Sequence, residues 1–325
     1  MQAVNERDIG SILKRAGNTM IKKVFIIYLG LVILLAASGC QPASTSVTPA
    51  KKSIVVTYSI LGSVVKDLVE DKATVIVPMP NGADPHDWEP SAKDVEAINN
   101  ADLVVQNGLG LEGGMEKTLA SAEGHGVKFF TASDYITIRH VGAGEGIPSG
   151  DPDQALGAAD PHLWMDPLNM KAVAGALSIE LKHDFGLDVS AQAIDLQNRL
   201  DSLNQEVADA VAVIPIADRK LVTGHESMGY FAQRYNFKLV GVIIPSLTSQ
   251  AEVSAADLAE LKTTIQTNNV KAIFTELGTS PAVASAIGKE TGVKVVELTT
   301  HSLPPDLSYF TFLRNIAKVI VDGLK

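Results

Sequence analysis

The sequence predicts an α/β protein of two lobes, each a mainly parallel sheet covered by helices, joined by a single long helix. Three observations predict this class. Short, β-branched apolar runs alternate with amphipathic segments, the runs fall into two series, and one uninterrupted helical stripe lies between the series. Alternating strand and helix implies parallel pairing, because a parallel return needs a crossover of a dozen or more residues. At 325 residues the chain is long enough for two such lobes.

Taken in order, the first series of strand-like runs lies at 54–58, 73–78, 103–106 and 127–131. The second lies at 220–223, 238–243, 272–275 and 293–298. Amphipathic segments at 62–69, 92–99, 172–185, 255–267 and 281–290 have the periodicity of covering helices. Between the series, Leu196, Leu200, Leu203, Val207, Val211 and Ile214 are spaced by three or four residues, one face of a helix over 190–214 that Pro215 terminates. Such a helix would be about 37 Å long, enough to run along both lobes. The expected boundaries are therefore 54–189 for the N-terminal lobe, 190–214 for the linking helix and 215–325 for the C-terminal lobe. No repeat at a fixed short period is present, which argues against a solenoid.

The N-terminal 39 residues carry a surplus of three positive charges, whereas residues 40–325 carry a net charge of −13. A body that acidic repels phosphate backbones, which disfavours nucleic-acid binding. Residues 24–37 form an apolar run preceded by Lys22 and Lys23, too short for a comfortable membrane span and suited to an export signal. Ala37-Ser38-Gly39-Cys40 follows and resembles a bacterial lipoprotein signal, in which Cys40 becomes the lipid-modified first residue. The alternative is an ordinary secretion signal over 1–39 with an incidental cysteine. Met20 offers a second start, which would make 1–19 a mis-called extension. Residues 40–53, rich in Ser, Thr, Pro and Ala, read as a flexible tether. Cys40 is the only cysteine, so an internal disulfide framework and a multi-thiolate zinc site are excluded. The expected location is extracytoplasmic, either the periplasm or the outer face of the cell membrane.

Four of the seven histidines fall in loops beyond strand ends, where parallel α/β sheets collect their ligands. His86 and His162 sit in matched Asp84-Pro85-His86 and Asp160-Pro161-His162 tripeptides, each with a Trp two residues on. His225 follows the fifth strand and His301 the eighth. Proline fixes its own φ before the first two histidines and helps to hold each imidazole in place.

The motifs carrying these residues resemble those of the metal-binding solute-binding proteins of ABC importers, the cluster 9 (A-I) family. They are Gly82-Ala83-Asp84-Pro85-His86-Asp87-Trp88-Glu89-Pro90-Ser91, Asn107-Gly108-Leu109-Gly110-Leu111-Glu112, Pro161-His162-Leu163-Trp164-Met165-Asp166-Pro167, His225 with Gly229-Tyr230-Phe231, and Phe274-Thr275-Glu276. The resemblance covers essentially the whole mature chain. It implies two α/β lobes with zinc or manganese between them, bound by four side chains. By position these are His86 and His162 from the first lobe, with His225 and a fourth ligand from the second. The family usually has Asp at the fourth position; His301-Ser302-Leu303 stands there, leaving His301, Glu297, Glu276 or water as the fourth ligand. The resemblance also implies a membrane permease and its ATPase as partners, a membrane contact through the lipid anchor, and a monomer.

Neutral imidazole is a borderline-soft ligand suited to tetrahedral zinc, whereas manganese favours more oxygen and higher coordination. A histidine-rich set therefore tilts the expected cargo toward Zn2+, with Mn2+ the alternative. Glu89, Asp166 and Glu226 are candidates to orient an imidazole N–H. The loop at 140–160, which is histidine-rich in many zinc members, has Gly and Asp but no histidine after His140. A zinc hydrolase with Glu226 as base and a surface adhesin or metal chaperone are the more distant alternatives; an enzyme is not expected.

Overall fold

The computed structural model describes residues 51–142, 145 and 156–325. Strands β1 (Lys52–Val56), β2 (Ala73–Ile76), β3 (Leu103–Gln106) and β4 (Lys128–Thr131) form one parallel sheet in the order β2-β1-β3-β4. Its crossovers carry α1 (Ser59–Val69), α2 (Ala92–Asn99) and α3 (Glu116–Gly124). Side chains alternate along each strand. Thus Ile54, Val56, Leu103 and Val105 enter one core with Leu61 and Val65, while Val55 and Val104 enter another with Ile98 and Met115. Burial on both faces is why β1 and β3 read as continuous apolar runs. The sheet starts at Lys52, inside the stretch expected to be tether. Lys52 and Ser53 pair with Ala73 and Thr74 and are further held by the Asp102 carboxylate; their polar side chains conceal a strand.

Helix α4 (Pro167–Phe185) begins five residues before the expected 172, because Asp166 caps it by accepting from Leu168 N at 2.9 Å and Pro167 occupies its first position. Helix α5 (Ser190–Val211) is the long connector, buried along Leu196, Leu200, Leu203, Val207 and Val211. It ends three residues short of 214, and Ile214 N turns back to Val211 O. Pro215 disfavours helical backbone at the residue before it.

Beyond α5, β5 (Lys220–Thr223) pairs in parallel with β6 (Lys238–Val242), and β7 (Ala272–Thr275) with β8 (Lys294–Glu297). β5 runs beside β7, and α6 (Gly229–Tyr235), α7 (Ala255–Thr267) and α8 (Pro281–Thr291) supply the crossovers. The last helix, α9 (Tyr309–Leu324), returns to pack on α5 and α1. There the Arg199 guanidinium lies 4.3 Å over the Phe310 ring, and Arg314 Nε meets Glu206 at 2.6 Å.

The fold is thus two α/β lobes with a common core along α5 and α9, and Lys51–Lys325 holds together as a single unit. Leu203 is fully buried in that core. Leu203→Ala should cost about 2–5 kcal/mol of stability in chemical denaturation, the usual range for a buried leucine.

No helix among the described residues is long and apolar enough to cross a membrane. The apolar run 24–37, Cys40 and the tether up to residue 50 lie outside the described residues, as do 143–144 and 146–155 of the 140–160 loop. The base of that loop is closed by a bridge between His140 and Ala159 and by Asp160 N donating to Arg139 O at 2.9 Å.

Candidate metal centre

Each of the four histidines lies past the C-terminal end of a parallel strand: His86 after β2, His162 between β4 and α4, His225 after β5 and His301 after β8. The topology brings them together. One ring nitrogen from each lies within 4.8 Å of all the others. His162 is the hub: its Nε2 stands 3.3 Å from His86 Nε2 and 3.3 Å from His225 Nε2. His162, His225 and His301 are buried and His86 is partly so.

The matched tripeptides fold alike. Asp84 Oδ1 accepts from His86 N at 3.0 Å, and Asp160 Oδ1 accepts from His162 N at 3.0 Å, each closing a turn over the intervening proline. Asp160 does more, since the same oxygen lies 2.9 Å from His162 Nδ1. Its other oxygen accepts from Arg139 Nη1 at 2.9 Å, so the carboxylate is neutralised where it is buried.

The hydrogen-bond network assigns the tautomers. His162 Nδ1 faces a carboxylate and carries the proton, leaving a lone pair on Nε2. His225 Nδ1 lies 3.2 Å from Glu276 Oε2, off the line of a well-aligned hydrogen bond, and facing a carboxylate it is assigned likewise. Thr300 Oγ1 donates to Glu276 Oε2 at 2.9 Å and can only accept from His301 Nδ1, also at 2.9 Å. His301 Nε2 is therefore a lone pair as well; it is buried and has no partner among the described residues. Three Nε2 lone pairs thus belong to one cluster, with His86 Nε2 3.3 Å from that of His162, and acceptors grouped in this way suit a cation. Tetrahedral zinc with Zn–N bonds of about 2.0–2.1 Å requires nitrogen–nitrogen edges of roughly 3.3–3.4 Å, and the two Nε2 separations given above are of that length.

The environment disfavours the charged form of three of the rings, His86, His162 and His301. Burial, then the neighbouring His162 and His225, hold His86 well below the ordinary histidine value. Burial and the other three rings do the same to His301. Burial also lowers His162, with Asp160 opposing. Glu276 is pushed up by burial, but His225 and the hydroxyls of Ser227 and Thr300 outweigh that and keep it below the usual carboxylate range.

The expected carboxylates take different places. Glu276 supports His225 and, through Thr300, His301 from behind. Glu297 ends β8 with an exposed side chain. Asp166 caps α4 and accepts from Arg234 at 2.8 and 2.6 Å. Glu89 is exposed. Glu226 is fully buried, with neither carboxylate oxygen partnered among the described residues, and burial followed by nearby Asp160 drives it well above the usual range.

Sequence reasoning named Asp160 and Tyr230 only as members of motifs, with no role of their own, and did not single out Arg139, Thr300 or Arg234. Asp160 could have been found, since the repeated tripeptide places an acceptor two residues before each histidine. Tyr230 OH donates to Asp160 O at 3.1 Å and accepts from Arg139 N at 3.0 Å. Trp164 Nε1 donates to Thr300 O at 3.1 Å. Asn81 exchanges hydrogen bonds of 2.9 and 2.8 Å with Leu303. These contacts tie the loops of His162 and His86 to those of His225 and His301.

Comparison with known proteins gives a consistent picture. The chain is 31% identical over 293 residues to the high-affinity zinc uptake system protein ZnuA of Bacillus subtilis, covering 86% of this chain and 89% of that one. It is 25% identical over 313 residues to the manganese-binding lipoprotein MntA of Halalkalibacterium halodurans, covering 93% and 99%. Its structure resembles the periplasmic zinc-binding protein TroA from Treponema pallidum with a TM-score of 0.71 at 25% identity, covering 85% of this chain and 99% of that one. Residues 54–323 match the family described as "Zinc-uptake complex component A periplasmic", and the chain belongs to this ZnuA family.

Proposed function

We propose that His86, His162, His225 and His301 together bind one divalent transition-metal ion, zinc in preference to manganese, and that the protein delivers it to the permease of an ATP-driven importer. Three converging Nε2 lone pairs, each with its Nδ1 facing a buried acceptor, carry this reading. The family is one of solute-binding proteins of ABC importers, which carry cargo and perform no chemistry on it. Its members are named as lipoproteins, periplasmic proteins or uptake components, which supports an extracytoplasmic location. Attachment to the membrane through Cys40, action as a monomer, and the ATPase behind the permease belong to the same proposal.

The preference for zinc follows from the donors. An all-imidazole set suits a four-coordinate borderline-soft ion, whereas manganese gains from oxygen ligands and a larger shell. Four neutral ligands leave the ion's double charge on the site, and the buried Glu276 carboxylate behind His225, which is paired with no Lys or Arg among the described residues, offsets part of it. The test is elemental analysis of the purified protein after equilibration with zinc and manganese together. One zinc per chain, retained against excess manganese, is expected; displacement of zinc by manganese would overturn the preference.

A further inference from the structure

The motif Asn107-Gly108-Leu109-Gly110-Leu111-Glu112 contributes none of the four histidines, yet its surroundings connect it to two of them. Asn107 is fully buried, and its Nδ2 donates to Pro161 O at 2.8 Å, the carbonyl immediately before His162. Its Oδ1 accepts from Tyr58 OH at 2.9 Å, and the Tyr58 ring lies 5.2 Å from that of Trp164, on the far side of His162 in sequence. The carboxylate of Glu112, also buried, fastens the loop from within. It accepts from Asn107 N at 2.6 Å, Thr57 Oγ1 at 2.8 Å and Gly108 N at 3.3 Å. Gly108, Leu109 and Gly110 all have left-handed backbone, so the chain turns sharply between Asn107 and Glu112.

The next two residues reach the other histidine. A Cβ on Gly113 would sit 2.6 Å from His86 O, and one on Gly114 would sit 2.3 Å from Trp88 O and 2.7 Å from Asp87 O. The backbone of the segment is thus packed directly beneath the His86 turn, at a distance only glycine permits. One eight-residue stretch therefore touches the backbone just before His162 through Asn107, reaches the Trp164 ring just after it only by way of Tyr58, and meets the backbone of His86 itself at Gly113.

We propose that residues 107–114 form a platform that sets the spacing of His86 and His162, with Asn107 and Gly113 as its positioning residues. The proposal rests on the reading that these two histidines hold the cargo metal. The platform acts through the histidines, fixing where their imidazoles stand before an ion arrives.

Cobalt(II) is the probe, because the intensity and position of its visible bands report coordination geometry. Asn107→Ala and Gly113→Ala are each expected to weaken cobalt binding by about 10- to 100-fold, the usual effect of removing a group that orients a ligand, and to alter the bands of the bound form. Gly124→Ala, where a Cβ meets nothing within 4 Å, should leave both unchanged. Thermal melting of the metal-free variants measures folding separately. If Asn107→Ala folds and binds cobalt with wild-type affinity and spectrum, the platform is overturned while the metal reading stands. A loss proportional to the unfolded fraction, with a wild-type spectrum in what remains, also overturns it, since the segment would then serve folding alone. Wild-type protein that takes up no cobalt or zinc removes the metal reading and the platform with it.

Discussion

His162→Ala is expected to weaken zinc binding by at least roughly 100-fold. Zinc held by four ligands is bound by about 10–16 kcal/mol at neutral pH in structural sites, so one ligand accounts for roughly a quarter. His162 should lie at or above that share, because it is the ring within 3.3 Å of two others and because its loss leaves Asp160 facing the site beside Arg139 alone. His86→Ala, His225→Ala and His301→Ala should each follow in the same direction. His183 is 86% exposed in the last turn of α4, at the opposite end of that helix from His162, and His183→Ala should change nothing. Competition against a chromogenic chelator measures all five. An equal loss in all five, or none in His162→Ala, would dispose of the assignment.

The second large effect is with pH, and it has two parts. Protonated imidazole cannot ligate, so zinc affinity should stay nearly flat from neutral pH and fall steeply below about pH 6. The lowered values of His86, His162 and His301 delay that fall, since protons compete for these rings only at lower pH. The same shifts govern the metal-free protein. Below the ordinary histidine value of about 6.5 the unfolded chain binds protons that the folded chain refuses, so stability decreases as pH falls. Each such histidine contributes up to about 1.4 kcal/mol per pH unit until its own folded value is reached. Denaturation of metal-free protein at pH 7, 6 and 5 should show this decline, and it should flatten in a variant lacking both His86 and His301. A decline of unchanged slope in that variant would place its origin elsewhere. Glu276, held low, adds a separate loss confined to pH below the ordinary carboxylate value of about 4.5.

Much of this was legible in the residues. The steps of three and four from Leu196 to Val211 gave the connector, because burial of a helix face leaves that period in the chain. Ile194, two residues before Leu196, falls outside the stripe and is exposed. Runs buried on both faces, such as 103–106, stood out as strands, whereas Lys52 and Ser53 did not, since their place in the sheet depends on pairing with Ala73 and on Asp102. At the candidate metal centre, the loops past strand ends pointed to the four histidines that the fold brings together. What the sequence left open was direction. Glu276, Glu297 and His301 are all near strand ends, and only the fold shows His301 turned inward, Glu276 behind two rings and Glu297 exposed. Asp166 likewise reads as a free loop carboxylate until its position at the start of α4, opposite Arg234, is seen.

The most direct measurement of the central claim is zinc X-ray absorption on the stoichiometrically loaded protein. A tetra-histidine centre predicts four nitrogen neighbours at about 2.0–2.1 Å with the outer scattering of imidazole rings, reduced by one ring in His301→Ala. A wild-type spectrum requiring a carboxylate or a fifth and sixth oxygen, unchanged in His301→Ala, would contradict it.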